Sequence, residues 1–565
     1  MNSLFGTWAS TLAKYLLLVF IIVVSALGFS HPAQAAERVY ASYSALERSI
    51  SVAALEDYAL NGVVADDLAV YTRFLNPAQM EELRRVLNSR IKVNAVAVSQ
   101  FLYTPQGEFM LQRLGQMIKT QSRQPEAGIY ALRSALILAA AEPDGLTLLN
   151  LLREYPSPSI HIDLARSLGI AAELEKLVSE TERAVAKVQT KANDEAALVD
   201  PSYQIPRNPD FRRLGNYAVE TRERVRFFDA LRNRFIFTDI YLPNAKGVRP
   251  VVIISHGLGS DSSNFRYLAN HLASHGFAVV VPNHPGSDTN QLRSLISGSA
   301  SQVAEPDEFY QRPRDIKFVL DELQKRNQTE FRGKFNLQQV GIFGQSFGGY
   351  TALALAGAEV NKATLSQSCH PKAVQDTWNV SLLLQCRILD PNQKQSPQVY
   401  SDLYDERIKA VIAVNPITSS VFGRDGLSQL KVPVMIVASS DDTVAPALYE
   451  QILPFAWIGN PQKYLAVLLG GTHFSAIGVG KSDSSQIGLP STIVGDDPAQ
   501  ARKYINALSL PFFLSYVAGM NESKPFLNAA YAQAISRKPL GLSLVKSLTS
   551  NELAQAVNID MDKFD

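Results

Sequence analysis

Two spacings of apolar residues divide the chain. From about residue 36 to 190 apolar positions recur every three or four residues, as in helices with one buried face. The stretch LNPAQMEELRRVL offers Asn76 as N-cap, Pro77 at the first helical position and Gln79 to close a capping box. TPQGEFMLQRLGQMI starts the same way at Thr104 and Pro105, and GIYALRSALILAAAEP is apolar nearly all round, which predicts a buried helix. GLTLLNLLREYP is another helix, stopped by Pro156, and no fixed-period repeat is present. An all-α domain is therefore expected over residues 36–190. The polar, proline-bearing KANDEAALVDPSYQIPRNPD then predicts a linker over residues 191–219. Beyond it lie short runs of Val, Ile, Phe and Leu such as PVVIISHG, FAVVVPNHPG, QQVGIFGQS, IKAVIAVNP, VPVMIVASSDD and KYLAVLLGGTH, most separated by room for a helix. Continuous apolar strands alternating with helices predict an α/β domain over residues 220–520, a mostly parallel sheet with helices on both faces. Sites in such sheets form at the carboxyl ends of strands. Residues 521–565 read as a C-terminal helical extension.

Composition narrows the partners. The chain has 565 residues, 46% hydrophobic and 19% charged, with a formal net charge of +1. This is globular composition for several domains, and it leaves no electrostatic footprint for nucleic acid. At the N-terminus, Lys14 precedes the apolar run YLLLVFIIVVSALGF, and AQA follows at residues 33–35. These are the parts of a signal peptide over residues 1–35, with cleavage between Ala35 and Ala36 and export to the periplasm or beyond. The alternative is a retained N-terminal membrane anchor. In an oxidising compartment the two cysteines, Cys369 and Cys386, pair as one disulfide, worth about 3 kcal/mol in the chain-entropy model; the alternative is two free thiols. No spacing of ligand residues calls for a metal, and no cofactor is expected.

The chemistry gathers at the strand ends. GQSFG, residues 344–348, fits G-x-S-x-G between a strand and a helix, a turn that lifts the Ser346 hydroxyl above the sheet. Serine needs a base and a carboxylate to steady it, in chain order Ser, Asp or Glu, His. Of eight histidines only His370 and His473 follow Ser346. His473 stands just past an apolar run, whereas His370 sits beside Cys369 in an insertion, so His473 is the expected base. VPVMIVASSDDTVAP supplies the carboxylate as Asp442, with Asp441 as fallback. The backbone N–H of Phe347, and that of Leu258 in ISHGLGSD, are the expected oxyanion donors. His271 and His275 have the spacing of a zinc helix, but HLASH lacks the glutamate of a zinc protease, so they read as solvated histidines on a surface helix. His256 and His284 read as hydrogen-bonding loops under the pocket.

SHGLGSDSSNF, LASHGFAVVVPNHPGSD, GQSFGG and RPRDIKFVLDEL together resemble the platelet-activating-factor acetylhydrolase and dienelactone-hydrolase-like branch of the α/β-hydrolases, over about residues 220–520. SDDTVAP and GGTHF resemble the acid and base loops of cutinase-like polyesterases, which favours Asp442 over Asp441. The resemblance implies an α/β-hydrolase fold with Ser346 as nucleophile, Asp442 as orienter, His473 as base, and Leu258 and Phe347 as oxyanion donors. True dienelactone hydrolases carry cysteine at the nucleophile, and serine here favours ordinary esters. RVYASYSALERSISVAALEDYALNG and SQFLYTPQGEFMLQRLG are similar to an uncharacterised domain fused ahead of such hydrolases in cyanobacteria, which implies no activity. Residues 287–311 and 361–406 depart from the compact fold and read as lids. The expected partner is a small-molecule or lipid ester, compatible with transient contact at a membrane surface. The competing readings are a binding or assembly protein on a hydrolase scaffold, and thioester or peptide cleavage by the same triad.

Overall fold

The computed structural model describes residues 35–44, 46–72, 74–91, 93–199, 210–390, 403–480 and 498–558. All but the last residue of the expected signal peptide lies outside them, as do residues 391–402 of the second expected lid. The chain forms two compact units: Met1–Tyr103 with Gly107–Ala171, and the remainder.

The first unit is helical but not all-α. It holds a four-stranded sheet in the order β2-β1-β4-β3, formed by β1 (Arg38–Tyr43), β2 (Leu46–Ser51), β3 (Ile118–Lys119) and β4 (Ser159–Asp163). β1 pairs antiparallel with β2 and parallel with β4. β1 and β2 thus pair as a hairpin, and only from Val52 does the chain turn helical, with the Ser51 side chain capping Ala54 N–H. The Asn76 cap and its box with Gln79 are present as expected. The apolar helix Pro125–Ala141 buries Ala131, Leu132, Ala135 and Ala139 in this unit's core.

The helix Leu164–Ala197 runs past the expected start of the linker, and from Ala172 it belongs to the second unit. Its small stripe of Ala184, Val185, Val188 and Ala192 is buried in that unit's core, where short side chains let a helix approach closely. A three- and four-residue spacing shows that a helix is half buried, but not which neighbour buries it.

The second unit carries a nine-stranded sheet, ordered β13-β12-β11-β10-β9-β7-β8-β6-β5. The strands are β5 (Val219–Asp229), β6 (Arg234–Pro243), β7 (Arg249–Ser255), β8 (Ala278–Pro282), β9 (Phe335–Gln345), β10 (Ile408–Val414), β11 (Val434–Ser439), β12 (Lys463–Leu469) and β13 (Gly541–Val545). Six are parallel, from β12 to β8, while β5, β6 and β13 add antiparallel edges. Alternate residues feed two cores: Val251, Ile253, Val411 and Ala413 on one face, Val252, Ile254, Ile412 and Val414 on the other. The C-terminal segment read as a helical extension supplies the edge strand β13, whose Leu542 and Leu544 are buried.

The first expected lid forms the helix Thr289–Ile296 and runs into Glu308–Arg326. The second forms the helices Lys362–Ser368, Pro371–Asp376 and Val380–Gln385. Cys369 and Cys386 are disulfide-bonded across the latter, 17 residues apart.

Candidate active site

Ser346 follows β9 and precedes the helix Phe347–Leu355, with φ 54° and ψ −117°. An L-residue rarely adopts this conformation, and it turns the side chain off the strand toward the sheet's carboxyl edge. The glycines around it answer to close backbone contact. A Cβ on Gly344 would lie 2.0 Å from the Gly348 carbonyl oxygen, and one on Gly348 would lie 2.0 Å from that of Ser255. No L side chain fits either place, so the sharp turn between strand and helix demands both glycines.

His473 and Asp442 stand on loops after β12 and β11. His473 Nε2 is 2.9 Å from Ser346 Oγ, and its Nδ1 is 2.7 Å from Asp442 Oδ2. The other carboxylate oxygen of Asp442 accepts the N–H groups of Val444 and Ala445, at 2.9 and 2.7 Å. Backbone donors thus fix the carboxylate without a cationic side chain. Asp441 is exposed, and its carboxylate accepts from Ser440 Oγ instead. The structure therefore joins Ser346 and His473 to Asp442, not to the fallback. Ser346, Asp442 and His473 are only 8%, 6% and 3% exposed.

The N–H groups of Leu258 and Phe347 donate to no protein group among the described residues. Phe347 opens its helix, so it has no partner in the preceding turn. The segment around Leu258 is held on both sides. Gly259 N–H donates to the Ser287 carbonyl at 2.9 Å, and Arg312 Nη2 donates to the His256 carbonyl. Two unspent donors beside a serine bonded to an imidazole can stabilise an oxyanion.

Several functional neighbours were not named from sequence. The buried amides Gln345 and Asn415 both donate to the His473 carbonyl, at 3.1 and 3.2 Å, clamping the histidine loop from two adjacent strand ends. Each is a polar residue closing an apolar strand, which is the signal that could have found it. Glu450, fully buried, accepts from Asn379, Gln385, Ser419 and the Thr418 N–H. It ties the disulfide-closed insertion to the loop after β10. Ser381 N–H of the same insertion donates to the Val444 carbonyl at 2.9 Å, on the loop that holds Asp442. A separate cavity of about 710 Å³, walled in part by Trp378, Tyr449 and Trp457, contains none of the triad.

The remaining histidines divide. His256 and His284 lie under the site as expected: His284 N–H donates to His256 Nε2 at 3.0 Å, and His284 Nδ1 lies 3.1 Å from Asp315 Oδ2. Burial, aided by Arg312, pushes His284 down to about 3 and His256 well below the ordinary imidazole range. His271 corrects the reading from spacing, since it is fully buried and burial pushes it down to about 3. Its helix packs into the core through Leu268, Ala269, Leu272 and Ala273, leaving no solvated face at that position. His370 is exposed and caps the helix Pro371–Asp376.

Comparison with known proteins agrees with this geometry. Residues 35–163 match a family model described as "Alpha/beta hydrolase of unknown function (DUF1400)", and residues 250–385 match one described as "alpha/beta hydrolase fold". Chlorophyllase-1, chloroplastic, from Citrus sinensis and its counterpart from Citrus unshiu are each 34% identical over 122 residues, 21% of this chain. The chain spans 31% of the length of these curated relatives. Sheet order, serine turn and both family matches converge on one conclusion: the chain carries the α/β-hydrolase fold.

Proposed function

We propose that this chain is an exported serine esterase that cleaves carboxylic esters through an acyl-enzyme on Ser346. The observation that carries this is the unbroken hydrogen-bond chain from Asp442 through His473 to Ser346, beside two unspent backbone donors. His473 Nε2 accepts the hydroxyl proton as Ser346 Oγ attacks the ester carbonyl. Asp442 holds the ring with Nδ1–H toward it and stabilises the imidazolium. Leu258 and Phe347 N–H groups receive the oxyanion, and His473 then returns the proton to the leaving alcohol. Water repeats the sequence and frees the acid.

The resemblance to the platelet-activating-factor acetylhydrolase and dienelactone-hydrolase-like branch favours short or lipid-like acyl esters. The curated relatives are named chlorophyllases, so a chlorophyll belongs in the substrate panel. The insertions over residues 287–311 and 361–406 are proposed to set substrate choice, and Arg387 of the second donates to Gln302 of the first. Export is supported by the signal-peptide-like sequence pattern over residues 1–35 and by the disulfide. No helix of the described residues is long and apolar enough to cross a membrane.

The test uses purified protein with a p-nitrophenyl acyl series and a fluorophosphonate probe. Ser346→Ala is expected to abolish labelling and lower turnover by at least ~10⁴-fold. Equal turnover in that variant would remove the esterase reading.

A further inference from the structure

Arg312 lies in the first turns of the helix Glu308–Arg326 and is fully buried. Burying a guanidinium is costly unless its donors and charge are answered, so its partners matter. Nη2 donates to the carbonyl of His256, two residues before Leu258. Nη1 donates to Ser287 Oγ at 3.3 Å, and that hydroxyl donates to Glu308 Oε2 at 2.6 Å. The Ser287 carbonyl accepts Gly259 N–H, one residue after Leu258. The guanidinium also sits 4.6 Å from the ring centroid of Phe347, the other donor residue. One side chain therefore reaches the loop directly on one side of Leu258, through Ser287 on the other, and also the Phe347 ring.

We propose that Arg312 is a positioning residue for the oxyanion hole, holding the Leu258 and Phe347 donors in register with each other. The inference rests on the esterase reading above and adds the element that sets the spacing of its two donors. These donors come from different strand ends, after β7 and after β9, and among the described residues no hydrogen bond joins Leu258 to Phe347 directly. The guanidinium fork, flat enough to lie on a ring while donating at its edge, suits this bridge better than an ammonium. Burial pushes Arg312 down to about 10, which leaves it charged at neutral pH.

The test compares Arg312→Gln, Arg312→Lys and Ser287→Ala in the full chain. The readouts are kcat and KM on p-nitrophenyl acetate, and inhibition by a trifluoromethyl ketone, whose tetrahedral adduct places an oxyanion in the hole. A second inhibitor, a plain alcohol product analogue, reports ground-state binding. For Arg312→Gln we expect kcat to fall ~10–100-fold, less than or equal to the loss of a whole donor. Ketone affinity should fall by the same factor, while KM, alcohol affinity and the pH midpoint of kcat/KM stay unchanged. Arg312→Lys should recover only part of the loss, and Ser287→Ala should show the same pattern at several-fold size. Folded Arg312→Gln with wild-type ketone affinity would overturn the proposal. If Arg312→Gln does not fold, unchanged ketone affinity in Ser287→Ala overturns it instead. Wild-type protein that shows no Ser346-dependent turnover or ketone binding would remove the esterase reading itself, and this inference with it.

Discussion

Among the described residues the second unit contains two hydrogen-bonded serine–histidine–aspartate chains, and the two differ in exposure and backbone setting. The outer chain is Ser346, His473 and Asp442. The inner chain is Ser255, His284 and Asp315, with Ser255 Oγ 3.0 Å from His284 Nε2 and His284 Nδ1 3.1 Å from Asp315 Oδ2. The inner serine closes the regular strand β7, and all three inner residues are fully buried. The outer serine stands on a left-handed turn beside two free N–H groups. The carboxylates differ as much as the serines. Asp442 is held by backbone N–H groups, so its charge stays available to an imidazolium. Asp315 lies between Arg232 and Arg234, at 2.8 and 2.9 Å. Burial alone would raise its carboxyl, but Arg234, the His284 N–H and Arg232 outweigh burial and hold it below the ordinary carboxylate range. Burial, aided by Arg312 and only partly opposed by Asp315, pushes His284 down to about 3, so it cannot serve as a base near neutral pH. Connectivity of the three residue types does not make a catalytic triad; a protonatable imidazole, an accessible hydroxyl and oxyanion donors do.

The largest expected contrast comes from the two aspartates. Asp442→Asn should leave the fold nearly as stable, because the amide oxygen still accepts from the backbone, yet lower kcat by ~10⁴-fold through the wrong imidazole tautomer. Asp315→Asn should do the reverse. It takes one of two carboxylates from each of two largely buried guanidiniums, leaving Arg232 with Asp229 and Arg234 with Glu308, which costs up to about 3–5 kcal/mol of stability. Its kcat, measured well below its unfolding temperature, should stay within about tenfold of wild type. Urea unfolding and p-nitrophenyl acetate turnover on both variants decide the matter. An Asp315→Asn protein that is fully stable but inactive would make the inner chain part of the chemistry.

The outer chain was legible in the sequence because each member carries a positional signal. Ser346 lies between required glycines, Asp442 and His473 follow apolar strands, and chain order leaves few alternatives. The inner chain carries no such signal: Asp315 is one acidic residue on an amphipathic helix, and its partners come from β6, β7 and the loop after β8. Which residues face each other there is set by strand order, with β8 between β7 and β6, and no local pattern encodes that. The same limit explains the first unit's sheet. β3 is two residues long and β1 pairs with β4 about 120 positions away, so period alone reads the region as helical. His271 was open to a better reading, since Leu268 lies one turn before it and Leu272 next to it, on the apolar side of its helix.

A smaller contrast concerns the serines. Ser255→Ala removes one hydroxyl that donates to His284 Nε2 and leaves that nitrogen buried and unpaired. The expected cost is about 1–3 kcal/mol of stability, with fluorophosphonate labelling of Ser346 intact. Loss of labelling in a folded Ser255→Ala protein would mean that the inner chain supports the elbow more directly than its distances imply.

The gentlest effect is acid lability, and it separates His256, His271 and His284 from His473. His256, His271 and His284 are all depressed in the folded state, chiefly by burial. Below about pH 6.5 the unfolded chain binds protons at these positions that the folded chain refuses, until about pH 3 for His271 and His284, so stability falls as pH drops through that window. Glu308 works the other way. Burial pushes it up to about 7, so its contribution is fully present below about 4.5 and is lost as pH rises through 7. His161 and His275 are depressed as well, and Asp288 is raised beside Glu308, so five imidazoles against two carboxyls leave a net loss on acidification. His271 belongs to neither chain, which makes it the clean probe. His271→Leu should reduce the slope of unfolding free energy between pH 4.5 and 6.5 by up to about 1.4 kcal/mol per pH unit, the value for one proton. The pH profile of kcat/KM should not move, because the outer chain is untouched. A slope equal to wild type would show that His271 takes up its proton in the folded state, and that burial does not hold these imidazoles neutral.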